Sequence, residues 1–247
     1  MCEICRQNPL PRFEPSRRNL LLGVMSTVSL LLANAAVAKE KEKEKKPPKP
    51  ENLLSPDAAL KRLRKGNERY AEGESRRHDF KREREALVGG QNPFAAILSC
   101  ADSRIAPEYA FDTGRGDLFV CRVAGNFASD ETVASLEYAV AVLNTPLMLV
   151  LGHESCGAVD ATIKSLKDGS TLPGHLPSLV AAIAPAVKAV SQQGGDTLTK
   201  AIRQNVVDNV AKLRSATPIL SAAVEQGKLK VVGGIYRLTD GEVDMVA

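Results

Sequence analysis

Apolar residues form three continuous runs along the chain, at positions 94–98, 118–121 and 147–151, and a mixed stretch at 228–236 also predicts a strand. Runs without polar alternation are typical of strands that are covered on both faces of a parallel sheet. Residues 242–246 come after the turn Thr239-Asp240-Gly241 and predict a strand that folds back along the stretch at 228–236. The pattern therefore predicts four strands, of which those at 94–98 and 147–151 are covered on both faces, and one antiparallel edge strand.

Apolar residues at helical spacing lie before and between these runs. Ser55 followed by Pro56 marks a helix start, and the spacing after it predicts an N-terminal helical arm. A second helix is predicted from about Asp130 to the break at Pro146. Further helices are predicted at 157–167, at 176–190 with breaks at Pro177 and Pro185, at 196–214 and at 217–226.

The order of these elements predicts an α/β fold. A strand, a helix and a further strand in succession call for a right-handed crossover between parallel strands. We therefore expect a central, mainly parallel sheet of four strands with an antiparallel edge strand, flanked by helices, with the N-terminal helical arm. Residues 53–247 are long enough for one sizeable core and form one predicted domain.

The first fifty residues differ from the rest of the chain. Ser16-Arg17-Arg18-Asn19-Leu20-Leu21 is a twin-arginine pattern, and the apolar stretch after it ends in a small-residue cleavage site, Ala36-Val37-Ala38. We interpret residues 1–38 as a twin-arginine-type signal peptide and expect export to a bacterial periplasm. An ordinary secretory signal or an uncleaved anchor is the alternative, although polar residues between 26 and 34 make a permanent membrane span a poor fit.

Residues 39–52 form a predicted linker, in which Lys alternates with Glu before the segment becomes rich in Pro. The formal net charge of +4 is the sum of +5 on residues 1–50 and −1 on residues 51–247. The charge of the predicted domain therefore gives no indication of a nucleic-acid partner.

Five cysteines imply no disulfide framework. Cys2 and Cys5 lie in the leader, where their C-x-x-C spacing alone is a weak signal for a metal or redox pair. Cys121 lies within a predicted strand and is expected to be buried. Cys100 and Cys156 remain for chemistry.

Two short clusters carry the candidate chemistry: Cys100-Ala101-Asp102-Ser103-Arg104 and His153-Glu154-Ser155-Cys156-Gly157. Each comes directly after a predicted strand, and ligands bind beyond the carboxyl ends of parallel strands. Two cysteines and one histidine suit Zn²⁺, and three protein ligands leave a fourth position open, as catalytic zinc requires. Singly, these residues are compatible with buried cysteines and a hydrogen-bonded loop histidine. Together, they predict one zinc ion per subunit on Cys100, His153 and Cys156.

The pattern C-x-D-x-R followed by H-x-x-C resembles the β-class carbonic anhydrases, here in an exported bacterial form. The resemblance covers about residues 53–247. It includes the arm at 60–70, the segments Gly90-Gln91-Asn92-Pro93 and Arg122-Val123-Ala124-Gly125-Asn126, and Ser135-Leu136-Glu137-Tyr138-Ala139.

This resemblance implies reversible hydration of carbon dioxide to bicarbonate and a proton by a zinc-bound hydroxide. It implies that Asp102 pairs with Arg104 and orients the nucleophile. In some family members the equivalent aspartate instead ligates zinc in a closed, inactive site, so Asp102 is also a candidate metal ligand. Members with a bicarbonate-sensitive closed state have tryptophan where this chain has Ile97, and the chain has no tryptophan. An open site is therefore expected.

The resemblance also implies a substrate pocket. Gln91 matches the pocket glutamine of the family, and Phe119, Ala124 and Tyr138 match its apolar wall, which suits carbon dioxide because that molecule has no net dipole. Core packing is the alternative for the three wall residues, and a plain loop position is the alternative for Gln91. In this family the arm packs on a second subunit, so a homodimer or higher homo-oligomer is expected.

Two other functions fit the same residues. A carbonyl sulfide or carbon disulfide hydrolase would use the same zinc site. A non-catalytic zinc-binding module would need neither Asp102 nor Arg104, and the presence of both counts against it. His78 and His175 lie in polar or loop surroundings and are not assigned to zinc.

Overall fold

The computed structural model describes residues 53–247. The predicted signal peptide, with Cys2 and Cys5, and the whole predicted linker lie outside the described residues, so the interpretations placed on them stay predictions. Within 53–247 we find no helix that combines the length and the apolar character needed to cross a membrane.

Five strands form one sheet. They are β1 (Ala95–Ser99), β2 (Leu118–Arg122), β3 (Leu147–His153), β4 (Lys230–Tyr236) and β5 (Val243–Met245). Their order across the sheet is β2-β1-β3-β4-β5. Neighbours among the first four are parallel, and β5 runs antiparallel to β4. The predicted fold class, a mainly parallel four-stranded sheet with an antiparallel edge strand, is therefore confirmed.

Helices flank this sheet, and the first of them is the predicted arm. The helices are α1 (Pro56–Ala71), α2 (Phe80–Leu87), α3 (Pro107–Ala110), α4 (Asp130–Ala141), α5 (Gly157–Asp168), α6 (Leu176–Val190), α7 (Thr197–Arg214) and α8 (Ile219–Glu225). The Oγ of Ser55 accepts a hydrogen bond from the N–H of Ala58 and caps α1. The two short helices α2 and α3 were not predicted.

Helix α6 corrects the prediction that two prolines break this stretch. The helix runs without interruption from Leu176 to Val190. Pro177 lies in the first turn, where a backbone N–H has no partner within the helix and its absence costs little. Pro185 is internal, but Ile183, Ala184, Ala186 and Val187 around it are buried. We attribute the continuity of the helix to this packing.

The two faces of the sheet have separate cores because side chains alternate along each strand. On one face, Ile97, Leu149 and Leu151 pack with the arm residues Ala59 and Leu63. On the other face, side chains from β1 and β3 pack against α4, α7 and α8; these include Leu98, Met148, Val150, Leu136, Val206 and Leu220. The carboxyl ends of the strands are thereby held between two packed layers.

The arm is anchored to its own chain. Leu63 is buried in the core. The Nδ2 of Asn67 donates to the carbonyls of Ala110, at 2.9 Å, and Gly241, at 2.8 Å. The Oδ1 of Asn67 accepts from the N–H of Val243 at 2.8 Å. Packing of the arm on a second subunit stays a prediction for its remaining faces.

Candidate metal centre

The three proposed zinc ligands lie at the carboxyl ends of two neighbouring strands, β1 and β3. Cys100 directly follows β1, and His153 is the last residue of β3. Cys156 is the residue immediately before α5. Since Ser99 at the end of β1 pairs with Leu151, Cys100 leaves β1 beside the last two residues of β3.

The three side chains form a buried cluster of the size that one zinc ion requires. One ligand atom from each of Cys100, His153 and Cys156 lies within 4.8 Å of the others. The two Sγ atoms are 4.0 Å apart. Two sulfurs each about 2.3 Å from a tetrahedral Zn²⁺ would be about 3.8 Å apart, whereas a disulfide needs about 2.0 Å. The spacing of the two sulfurs therefore fits a shared metal ion rather than a disulfide.

The imidazole of His153 is oriented for ligation. Its Nδ1 lies 2.8 Å from the carbonyl oxygen of Glu154, to which it donates when it carries the proton. The Nε2 is then an acceptor; it is buried and lacks a hydrogen-bond partner among residues 53–247. A buried polar atom without a partner is costly, and a metal ion would satisfy it. The donor set of this site therefore fits Zn²⁺.

The two thiols titrate differently because they lie against each other. The hydrogen bond from Cys156, together with His153 and the N–H of Gly125, lowers the pKa of Cys100 to about 4 despite burial. The neighbouring Cys100 sulfur and burial raise the pKa of Cys156 well above its ordinary value. One thiolate is thus already favoured, and metal binding would displace the proton that the other thiol keeps.

The turn between His153 and Cys156 depends on an unusual backbone conformation. Ser155 has a φ of 53°, in the left-handed region that non-glycine residues seldom adopt. The carbonyl of Ser155 accepts a hydrogen bond from Nη2 of Arg104 at 3.3 Å. This contact ties the second cluster to the first.

Apolar side chains enclose the sulfurs, and one backbone amide contacts them. Cys100 and Cys156 pack with Val159, Ile183 and Ile202, among others. The N–H of Gly125 donates to Sγ of Cys100 at 3.3 Å. The sulfurs therefore lie against apolar side chains that exclude water, and the N–H of Gly125 favours the thiolate form of Cys100.

Asp102 and Arg104 form a two-point ion pair beside the cluster. Nε of Arg104 donates to Oδ1 at 2.9 Å, and Nη2 donates to Oδ2 at 2.7 Å. The backbone N–H of Arg104 also donates to Oδ1. These hydrogen bonds from Arg104 hold the pKa of Asp102 well below its usual range. Oδ2 lies 3.8 Å from Nε2 of His153, so an oriented carboxylate borders the proposed metal position.

The four residues predicted to line a substrate pocket are placed less uniformly. Phe119, on β2, lies 6.3 Å from Tyr138 between ring centroids. Phe119 and Ala124 are half-buried, whereas Tyr138 is 48% exposed. Gln91 is exposed in the segment before β1. A pocket role for these residues stays a prediction. Cys121, predicted to be buried, is only half-buried because β2 is an edge strand.

Sequence reasoning missed the residues that hold the loops around the site. Arg122 belongs to a segment that carries the family resemblance, and its side chain, for which no role was predicted, bonds to the backbone after β1. Asn205 on α7 donates to the carbonyl of Gly125 at 2.8 Å. The available signal for Arg122 was a charged residue at the end of an apolar strand. No comparable signal marked Asn205 within its helix.

Comparison with known proteins gives consistent matches. Residues 95–243 match the family described as carbonic anhydrase. The chain is 40% identical over 188 residues to carbonic anhydrase 2 of Mycobacterium tuberculosis. This alignment covers 76% of this chain and 91% of that protein. A Coccomyxa β-carbonic anhydrase solved with acetazolamide is 26% identical, with a TM-score of 0.57, covering 88% of this chain and 85% of that one.

A further solved structure supports the fold alone. It is one of two tetrameric β-carbonic anhydrases from Sordaria macrospora, with 23% identity and a TM-score of 0.60. The match covers 65% of this chain and 83% of that one.

Proposed function

Because the chain belongs to the β-carbonic anhydrases, a family of lyases, we propose that it catalyses the reversible hydration of carbon dioxide to bicarbonate and a proton. One observation carries the proposal: an oriented carboxylate, Asp102, borders a buried cluster of two sulfurs and one imidazole nitrogen. A purely structural zinc site has no use for that carboxylate.

Cys100, His153 and Cys156 would hold one Zn²⁺ per subunit. Bound there, the ion would lower the pKa of water toward neutrality and so supply the hydroxide that the reaction needs. The side chains beside the metal position would orient the nucleophile. Arg104 keeps Asp102 ionised and fixed, and Asp102 accepts a hydrogen bond from the nucleophile and so directs its lone pair toward the substrate carbon.

The direct test combines metal analysis with a hydration assay. We expect one zinc per chain and hydration of dissolved carbon dioxide, followed with a pH indicator, well above the buffer rate. Cys156→Ala should lose zinc and activity, because only two ligands remain, and much stability with them, because ligand bonds also contribute folding free energy. Zinc-replete wild-type protein that hydrates carbon dioxide no faster than buffer would contradict the proposal.

The same preparation distinguishes the two alternative functions. Release of hydrogen sulfide from carbonyl sulfide or carbon disulfide, with no hydration of carbon dioxide, would identify a sulfur-substrate hydrolase. Zinc binding with neither activity would identify a non-catalytic module.

We also propose that the mature chain is a periplasmic homo-oligomer. The twin-arginine pattern supports export, and a chain that binds zinc before export would carry its two thiols already protected. The exposed Tyr138 and Val142 at α4, next to the edge strand β2, support a further subunit contact. Cell fractionation with N-terminal sequencing tests the first point, and light scattering tests the second.

A further inference from the structure

The segment between β1 and α3 carries most of the chemistry proposed for this site. We call residues 100–105 the ligand loop. It contains Cys100, the proposed metal ligand, and Asp102 with Arg104, the proposed orienting pair. A loop with three such groups needs its backbone fixed, because a displacement of about 1 Å at a reacting group can cost about 100-fold in rate.

One side chain from a different strand fixes this backbone. Arg122 is the last residue of β2 and pairs in register with Ser99, the last residue of β1. Its Nε donates to the carbonyl of Cys100 at 2.9 Å. Its Nη2 donates to the carbonyls of Asp102, at 2.7 Å, and Ile105, at 2.9 Å.

The three acceptors belong to both ends and the middle of the ligand loop. Ile105, at one end, is buried in the core and anchors that end of the loop. Cys100, at the other end, directly follows the last residue of β1. Backbone carbonyls without partners are costly, and a guanidinium, with five donors in a planar fork, can serve several at once. A lysine ammonium lacks this planar geometry.

We propose that Arg122 is a positioning residue of the metal centre: it holds the ligand loop so that the Cys100 sulfur and the Asp102 carboxylate keep their places relative to each other. Its guanidinium bonds to backbone oxygens of the loop, so it acts through the ligand and the orienting pair. This inference rests on the proposed function for its effect on turnover but not for its effect on metal binding.

The test compares Arg122→Ala and Arg122→Lys with Arg203→Ala, which removes an exposed arginine from α7. Zinc affinity is measured by competition with a chelator, the cobalt-substituted protein is examined for its thiolate charge-transfer bands, and kcat and KM are measured in excess zinc. Thermal unfolding is recorded for every variant.

We expect Arg122→Ala to weaken zinc binding and lower kcat by about 10–100-fold each, with shifted cobalt bands and little change in KM. Arg122→Lys should lie between Arg122→Ala and the wild type. Millimolar guanidinium should restore part of the kcat of Arg122→Ala and leave that of Arg203→Ala unchanged. Shifted cobalt bands and a lower kcat in a variant that is still folded at the assay temperature are the readouts that a purely structural role would not produce.

Two outcomes would overturn the inference. One is zinc affinity and kcat in Arg122→Ala that match those of Arg203→Ala. The other is unfolding of both Arg122 variants, since this would assign the residue to general stability. A wild-type protein that binds zinc but does not hydrate carbon dioxide would refute the proposed function only, and the effect of Arg122 on zinc affinity would still decide the inference.

Discussion

Different interactions hold Asp102 and the three proposed ligands in position. The ligands are buried, whereas the side chain of Asp102 is 17% exposed and its partner Arg104 is 50% exposed. The hydrogen bonds from Arg104, rather than enclosure, therefore hold the carboxylate in place. Removal of its charge should disturb the nucleophile without removing the metal site.

We predict that Asp102→Asn retains zinc but loses turnover by about 100-fold or more, because an amide cannot accept from Arg104 at both positions and still present an acceptor to the nucleophile. Stopped-flow hydration and metal content measure the two effects. Asp168→Asn, at the exposed end of α5, is the matched control and should behave like the wild type. Full turnover in the Asp102→Asn variant would refute the orienting role.

Gly125 is a second position where a single atom matters. Its φ is 84°, and a Cβ there would lie 2.5 Å from Cδ1 of the buried Ile183. We predict that Gly125→Ala destabilises the fold and weakens zinc binding, because relief of this clash moves the N–H away from Cys100. Urea unfolding and chelator competition measure the two losses.

Gly169 provides the matched control for this substitution. Its φ is 62°, but a Cβ there has open space around it. Gly169→Ala should cost about 1–2 kcal/mol for the left-handed backbone alone. Gly125→Ala should cost about 1–3 kcal/mol more, from overpacking against Ile183. Equal losses in the two variants would mean that Ile183 yields without cost.

At the scale of elements, local pattern was sufficient to predict most of the sheet. The runs that became β1 and β3 are apolar because both faces of the sheet are covered, and the pattern shows this directly. The proposed ligands Cys100 and His153 could be located because they lie at the ends of two such runs. The fold and the position of the candidate site were predictable to this extent.

The rest depended on contacts between distant segments. The pattern of residues 176–190 could not show that α6 tolerates Pro185, because neighbouring elements supply the packing that keeps the helix continuous. Arg122 and Asn205 bond to loops about 20 and 80 residues away in the chain. The exposure of Tyr138 likewise depends on which face of α4 meets the sheet. None of these features has a local signature.

The contact between the arm and α3 gives a prediction for acid stability. Asp112 lies just after α3 and is buried. Its carboxylate accepts from Nε of Arg69 at 2.5 Å and from the N–H of Arg76 at 2.8 Å. Burial alone would raise the pKa of Asp112, but these contacts outweigh burial and hold the pKa below its ordinary value.

Because the folded-state pKa of Asp112 lies below the unfolded value of about 3.9, the carboxylate stabilises the fold above that pH. This contribution is lost as the pH falls through the folded-state pKa. Asp112→Asn should therefore cost about 1.5–3 kcal/mol at pH 7 and progressively less in acid. Urea unfolding of the wild type and the variant, from pH 7 down into acid, measures the difference in their free energies of unfolding. A difference that does not depend on pH would contradict the prediction.

At the scale of the whole molecule, the fold and the metal centre are separable. The sheet has a packed core on each face, and neither core includes the proposed ligands; their two cysteines lie in a third cluster with residues of α5, α6 and α7. A chain with this much apolar burial does not need zinc to fold, in contrast to small zinc-dependent domains. Zinc should therefore add stability to a domain that is already folded.

We predict that removal of zinc leaves the protein folded but less stable. If free zinc is about 1,000 times the dissociation constant, binding stabilises the folded state by about 4 kcal/mol, which corresponds to a shift of roughly 8–16 °C in Tm for a domain of this size. Circular dichroism should show the helices and strands retained after chelation, with the Tm restored when zinc is added back.

Cys156→Ala separates this effect from any other action of the chelator. Its Tm should match that of the zinc-free wild type and should not respond to added zinc, because only two ligands remain. The size of the wild-type shift should grow with the logarithm of free zinc, since mass action on one site sets it. Loss of the circular dichroism signal of the fold on chelation at 25 °C would show instead that the third cluster is required for the two cores to form.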